Sequence, residues 1–205
     1  MGGIVTVAHV LVTLALIGGA DALRVETVTL QGGAKDCKYR VTFPRTSQPR
    51  IDAELATWAK RYASCEPGKA VPHDQALTAP VATTMTPTVV RNDARIFAVS
   101  FEETIESEDV HDTHERTTFN FLRPDGWRVY LPEIFDAAVL KKISQLAVEV
   151  LRRRFGDGND SDQNALARGA GPAWSNFEAF ILREKTLDIY FASERVAPAA
   201  RRRLR

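Results

Sequence analysis

The sequence has 205 residues, of which 44% are hydrophobic and 26% are charged. This composition is typical of a globular protein of about one domain, and it excludes a large multidomain enzyme, a disordered chain and a collagen-like repeat. Its 27 Lys and Arg residues balance 26 Asp and Glu residues, so net charge gives no argument for binding nucleic acid or a membrane surface, and any charged partner must be recognised by a local pattern.

The N-terminal segment is predicted to be an export signal. Ile4–Ile17 has no acidic or basic residue apart from His9, and it is shorter than the roughly 20 residues that span a bilayer. The small residues Ala20 and Ala22 suit cleavage before Leu23. We therefore expect a periplasmic or secreted protein without a stable membrane span. A buried N-terminal helix is the alternative.

Hydrophobic periodicity predicts two strands and then a helix. Val25–Leu30 and Lys38–Phe43 alternate with a period of two, which is typical of strands with one face on a core. From Ile51 the period changes to that of a helix, which we expect to end near Cys65. Pro67–Thr84 has no clear period and is predicted to be a long connection, with a short edge strand as an option.

Cys37 and Cys65 are the only cysteines in the sequence. An even pair in an exported chain is more typical of a disulfide than of a metal site or a nucleophile. We expect this disulfide to join a strand to the end of a helix. Two free buried thiols are the alternative if the protein is cytosolic.

The middle of the chain is predicted to be an antiparallel meander. Its strands are Met85–Val90, Ile96–Ile105, Thr117–Leu122 and Trp127–Leu131. Tight turns are predicted between the first two strands, at Asn92-Asp93, and between the last two, at Pro124-Asp125-Gly126, because these residue types suit such turns.

A second helix and a last hairpin are predicted in the C-terminal part. Asp136 is expected to cap a helix that stops at Gly156. Asp157–Gly171 begins like a calcium-binding loop but lacks its required glycine and glutamate, so we interpret it as a flexible polar connection. Phe177–Leu182 and Thr186–Phe191 have the pattern of paired strands.

These elements predict an α+β fold with an antiparallel or mixed sheet and two main helices packed on one face. We assign residues 1–22 to the signal peptide and residues 23–205 to a single α+β domain. No glycine-rich loop follows a strand and opens a helix, so we expect no nucleotide or other cofactor.

Several short motifs follow one another in the C-terminal half. They are His114 leading into TTFNFL, Pro124-Asp125-Gly126, Leu131–Phe135, Asn176-Phe177-Glu178 and the segment Leu187–Ala200. Their order resembles an extracytoplasmic domain-of-unknown-function family, found in the lysozyme-sensing anti-sigma factor of the sigma-V system and beside some exported peptidoglycan deacetylase domains. The resemblance covers residues 114–200. It implies an envelope domain and adds no catalytic role, so our leading hypothesis is an exported binding module that is not an enzyme.

Negative charge is concentrated between Glu102 and Glu115, at one end of a predicted hairpin. Its carboxylates, with no Lys or Arg among them, are Glu102, Glu103, Glu106, Glu108, Asp109, Asp112 and Glu115. Such a segment attracts a cationic protein, and the family resemblance makes lysozyme the first candidate. We predict that these residues bind the partner, with a solvated loop as the alternative.

Three neighbouring residues, His111, Asp112 and His114, suggest metal binding or acid–base chemistry. In a strand, Asp112 and His114 would share a face while His111 would point away. Two converging ligands fall short of the three or four that a zinc site needs, so we predict no metal site, no catalytic residue and a structural role for His114.

A cell-wall enzyme or accessory domain that acts on peptidoglycan is the alternative function. In that case Asp112 and His114 would contribute to the site, or tryptophans would stack on the glycan. Trp58 lies on the apolar face of the predicted helix and is expected in the core, whereas Trp127 and Trp174 are expected nearer the surface. Peptidoglycan is therefore the second candidate partner.

Overall fold

The computed structural model describes residues 11–15, 22–65, 81–107, 110–155, 160–191 and 196. They form the α+β fold that the sequence predicts. By their contacts they divide into two units, Met1–Arg128 and Val129–Arg205.

Seven strands of the first unit form one mixed sheet in the described part of the chain. They are β1 (Leu11–Ala15), β2 (Val25–Ala34), β3 (Cys37–Arg45), β4 (Val81–Asn92), β5 (Ile96–Ser107), β6 (Val110–Leu122) and β7 (Trp127–Arg128). Their order in the sheet is their order in the chain. Strands β3 and β4 are parallel, and every other neighbouring pair is antiparallel.

Helix α1 (Pro49–Tyr62) forms the crossover between the parallel strands β3 and β4. Ile51, Leu55 and Ala59 recur at helical spacing and are fully buried. Beneath them the inner face of the sheet supplies a core that includes Val41, Met85, Phe97, Val99, Phe101, Phe119 and Phe121. Burial of each large side chain stabilises the fold by about 1.5–3 kcal/mol.

The disulfide between Cys37 and Cys65 is present, as predicted, with a Cα–Cα distance of 5.8 Å. Cys37 is the first residue of β3, and Cys65 follows the end of α1. The bond therefore links the start of β3 to the end of α1. In the chain-entropy model, a loop of 28 residues contributes about 3–4 kcal/mol of stability.

Three boundaries in the first unit differ from the sequence prediction. Strand β4 begins at Val81, inside the predicted connection, because its first residues pair with β3. Strand β6 begins at Val110 instead of Thr117, because its charged first half pairs with β5. Strand β1 lies within the predicted export signal and pairs with β2, so the helix proposed as the alternative is wrong at Leu11–Ala15. The export signal itself stays a prediction.

The second unit contains the other main helix and a small hairpin. Its elements are α2 (Leu131–Ile134), α3 (Ala137–Phe155), α4 (Asp160–Ala170), a 3-10 turn (Trp174–Phe177), β8 (Phe180–Leu182) and β9 (Leu187–Ile189). Asp136 caps α3 as predicted, because its Oδ1 accepts hydrogen bonds from the N–H groups of Ala138 and Val139, each at 2.9 Å.

Three predictions in this region are wrong. The predicted polar connection contains α4, whose Leu166 and Ala170 are buried against Leu151 of α3. The predicted strand Trp127–Leu131 stops after two residues, because a capping box between Tyr130 and Glu133 starts α2. Phe177 belongs to the 3-10 turn, and the hairpin begins three residues later.

Candidate functional site

Alternation along β5 divides the acidic residues between the two faces of the sheet. Glu102 and Glu106 are exposed on the outer face, whereas Glu103 is buried on the inner face with Phe101 and Ile105. Glu103 therefore does not share a surface with Glu102 and Glu106. Much of the segment is paired strand, and a one-residue step along a strand moves a side chain to the opposite face.

The remaining predicted residues are described less completely. Glu108 and Asp109 lie outside the described residues, and so do the side chains of His111, Asp112 and His114. The backbone of the last three belongs to β6, where His114 is paired with Thr104 of β5. Among the described residues, no three His, Cys, Asp or Glu side chains come together as metal ligands.

On the outer face, Glu102 has a cation directly across the strand pair. The carboxylate of Glu102 lies 3.8 Å from the guanidinium of Arg116, and the two side chains are 55% and 39% exposed, respectively. An exposed ion pair contributes no more than about 1 kcal/mol. Arg116 therefore offsets part of the charge of Glu102 and leaves both groups at the surface.

On the inner face, Glu103 lies between Met85 of β4 and Glu115 of β6. Only 2% of Glu103 is exposed, and its Oε1 makes no hydrogen bond to any described residue. Burying a carboxylate oxygen without a donor is costly, because water no longer solvates the charge. Burial raises the pKa of Glu103 to about 7, and the negative charge of Glu115 adds to the shift.

The C-terminal turn of α1 places two aromatic rings at the same end of the core. Burial raises the pKa of Tyr62, the charges of Glu103 and Glu115 raise it further, and side-chain hydrogen bonds with Trp58 and Thr117 oppose these effects. The ring of Trp58 lies 5.0 Å from that of Tyr62. Buried Glu103 and half-buried Glu115 are therefore bordered by aromatic side chains, and Trp58 packs on the core as predicted.

The sequence analysis did not separate the acidic residues of the inner face from those of the outer face, although the sequence contains a pattern that indicates this separation. Phe97, Val99, Phe101 and Ile105 alternate in β5 as core residues, and Glu103 occupies the same alternation. A charged residue at a core position of a strand is rare unless it is paired or functional. That pattern would have singled out Glu103 from its acidic neighbours.

A separate exposed aromatic lies at the β7 edge of the sheet. Trp127 is 59% exposed, and the guanidinium carbon of Arg50 lies 3.5 Å from its ring centroid. Its strand partner Leu122 is also exposed. The prediction of a surface position is confirmed for Trp127, whereas Trp174 is partly buried against the core of the second unit.

Comparison with known proteins gives a distant relative. No family model matches the sequence. The chain is 24% identical over 176 residues to the peptidoglycan-N-acetylmuramic acid deacetylase PdaC of Bacillus subtilis. The alignment covers 84% of this chain and only 37% of that protein. The relative thus fits a cell-wall-related role and does not establish an activity.

Two crystal structures of DUF3298 family proteins have the same fold. One, from Bacteroides fragilis, has a TM-score of 0.58 at 11% identity and covers 90% of this chain and 89% of its own. The other, from Pseudomonas aeruginosa, has a TM-score of 0.57 at 10% identity, and the match covers 97% of this chain and 87% of that protein's chain. The predicted domain-of-unknown-function likeness is supported at the level of the fold. The link to an anti-sigma factor stays a prediction.

The disulfide indicates where the protein resides. Such bonds persist in oxidising compartments and are rare in the cytosol, so the bond between Cys37 and Cys65 favours a location outside the cytoplasm. None of the helices in the described ranges is long and apolar enough to cross a membrane.

Proposed function

We propose that this protein is a periplasmic or secreted cell-wall module that acts by binding a cationic protein, with lysozyme the first candidate. The binding surface is the acidic hairpin end, defined as Glu102, Glu106, Glu108, Asp109 and Asp112. The observation that supports it best is the exposure of Glu102 and Glu106 on one face of β5. We further propose that residues 23–205 act as one domain and carry out no chemistry themselves.

The physical basis is electrostatic steering. Exposed carboxylates of one sign raise the rate at which a cationic partner meets the surface, and salt screens this attraction. The Debye length falls from about 30 Å at 0.01 M salt to about 8 Å at 0.15 M. Because Arg116 offsets part of the charge of Glu102, the attraction should depend strongly on Glu106 and its neighbours.

Calorimetric titration of the chain from Leu23 against a c-type lysozyme tests this proposal. We expect binding at low salt that weakens as salt rises. The double substitution Glu102→Gln with Glu106→Gln should weaken it about tenfold at low salt, because each lost charge contributes somewhat less than 1 kcal/mol.

The matched control removes the same charge from exposed positions of the second unit, through Glu178→Gln with Glu184→Gln. This variant should bind like the wild type. Absence of lysozyme binding at low salt, where attraction is strongest, would contradict the proposal. Equal weakening by the two double variants would show that net charge, and not the hairpin end, is responsible.

A second candidate function is an accessory role in which the module holds peptidoglycan. The exposed ring of Trp127 favours it, because an aromatic face with a neighbouring guanidinium suits a sugar that bears a carboxylate. Trp127→Ala should reduce retention of the protein on purified peptidoglycan, whereas Ile134→Ala, at an exposed apolar residue elsewhere, should not. Acetate release from peptidoglycan by the wild type would instead support the enzyme alternative.

A further inference from the structure

The inner face of the β5–β6 hairpin carries a carboxyl pair that the proposed binding surface does not use. Glu103 and Glu115 are direct cross-strand partners, and Glu103 is almost completely buried. Its Oε1 has no hydrogen-bond donor among the described residues. Two carboxylates held this close repel each other when both are ionised, and the buried one loses most from ionisation.

The groups around Glu103 favour its neutral form. Strand β4 places Met85 beside it, and α1 places Tyr62 near it. The charge that acts on it most directly is the like charge of Glu115. Tyr39 of β3 is another titratable residue that packs on this core. Its hydroxyl lies against Gly32 of β2, so close that a Cβ added to this glycine would be 2.6 Å from the hydroxyl oxygen.

We propose that Glu103 and Glu115 together carry one proton near neutral pH, and that this proton regulates how strongly the acidic hairpin end attracts its cationic partner. This inference rests on the proposed function. With the proton bound, the pair contributes one negative charge to the hairpin. When the proton passes to solvent or buffer, the pair contributes two, immediately behind Glu102 and Glu106.

Two measurable consequences follow from this linkage. A bound cation stabilises the doubly ionised pair, so partner binding releases protons at pH 7. For the same reason, affinity at pH 8 exceeds affinity at pH 6 by about fivefold, the size expected for one added charge several ångströms from a cation in a partly screened site.

The experiment measures lysozyme affinity at pH 6 and pH 8 for the wild type, Glu103→Gln and the control Glu102→Gln. Glu103→Gln keeps the side-chain shape and should lower the ratio of the two affinities about fivefold relative to the wild type, whatever part of that ratio the hairpin histidines His111 and His114 contribute to both proteins. Glu102→Gln removes an outer-face charge, so it should weaken binding at both pH values and retain the difference between them. Titration at pH 7 in two buffers of different ionisation enthalpy should show more proton release for the wild type than for Glu103→Gln, and equal release by the two proteins would overturn the inference.

Carbon-13 NMR titration of the glutamate carboxyl groups in the free chain separates this inference from the proposed function. A Glu103 midpoint below pH 5 overturns the inference and leaves lysozyme binding untouched. A midpoint near pH 7 without lysozyme binding at any pH overturns the proposed function and the regulation that rests on it. In that case the sharing of one proton by Glu103 and Glu115 is still supported. A midpoint near pH 7 with equal affinity at pH 6 and pH 8 overturns the regulation alone.

Discussion

The two ends of strand β5 hold carboxyl groups in opposite environments. Asp93, in the turn before the strand, accepts hydrogen bonds from the side chain of Arg91 and from the N–H groups of Arg95 and Ile96. Burial opposes ionisation there, but these bonds outweigh it and lower the pKa of Asp93 to about 2. Towards the other end, burial and the charge of a neighbouring carboxylate raise the pKa of Glu103 to about 7.

This contrast separates a structural carboxylate from one that can change charge near neutral pH. Asp93 stays ionised under physiological conditions, and its donors fix the turn between β4 and β5. Glu103 lies at a core position without a donor to its Oε1 among the described residues, so small changes in its surroundings alter its protonation. Shifts of this second kind are concentrated at functional sites in proteins.

The largest expected effect is on stability at Glu103. Because its pKa rises from 4.5 to about 7 on folding, the native state binds more protons across that interval. Stability is therefore greatest below pH 4.5 for this group and falls by about 3 kcal/mol as pH rises to 7. Glu103→Gln should remove most of that fall, and urea unfolding at pH 5 and pH 8 measures it. An unchanged pH dependence of stability in the variant would show that the pKa of Glu103 is not raised on folding, and would contradict the contrast with Asp93.

An opposite and smaller pH dependence is expected at Asp93. Its pKa falls from 3.8 to about 2 on folding, so its contribution is present above pH 3.8 and is lost as pH falls towards 2. Since 43% of the side chain is exposed, screening reduces that contribution to about 1 kcal/mol. Asp93→Asn should lower the free energy of unfolding by this amount at pH 7. Equal stability of variant and wild type at pH 7 would mean that the turn does not depend on the charge.

The smallest effect is expected at Glu102, one residue from Glu103 and on the other face. Its ion pair with Arg116 is exposed, so Glu102→Gln should change the free energy of unfolding by less than about 0.5 kcal/mol. Thermal unfolding at pH 7 checks this. A larger loss would mean that the outer face of the hairpin stabilises the fold and is not available mainly for binding.

Much of the fold followed from local patterns in the sequence. Period-two alternation located β2, β3 and β5, and helical spacing from Ile51 located α1. The pairing of Cys37 with Cys65 and the cap at Asp136 were also predicted correctly. The strands, the helix and the cap depend on residues that are close in sequence. The disulfide could be predicted because two cysteines allow one pairing.

The errors arise where distant pairing overrides local propensity. The Thr-rich start of β4 is a strand because it pairs in parallel with β3, a partner 44 residues earlier that no local pattern reveals. Helix α4 is polar along much of its length and depends on burial of Leu166 and Ala170 against α3. The face of Glu103 could be read from its alternation with Phe101 and Ile105, whereas the position of Glu115 opposite it required the register of β5 and β6.

The salt dependence of lysozyme binding tests the account's main proposal most directly. The logarithm of the association constant for the wild type should fall as the salt concentration rises, and Glu102→Gln with Glu106→Gln should make the slope of that dependence shallower. Equal slopes for wild type and variant, or no measurable binding at low salt, would contradict the assignment of the acidic hairpin end as the binding surface.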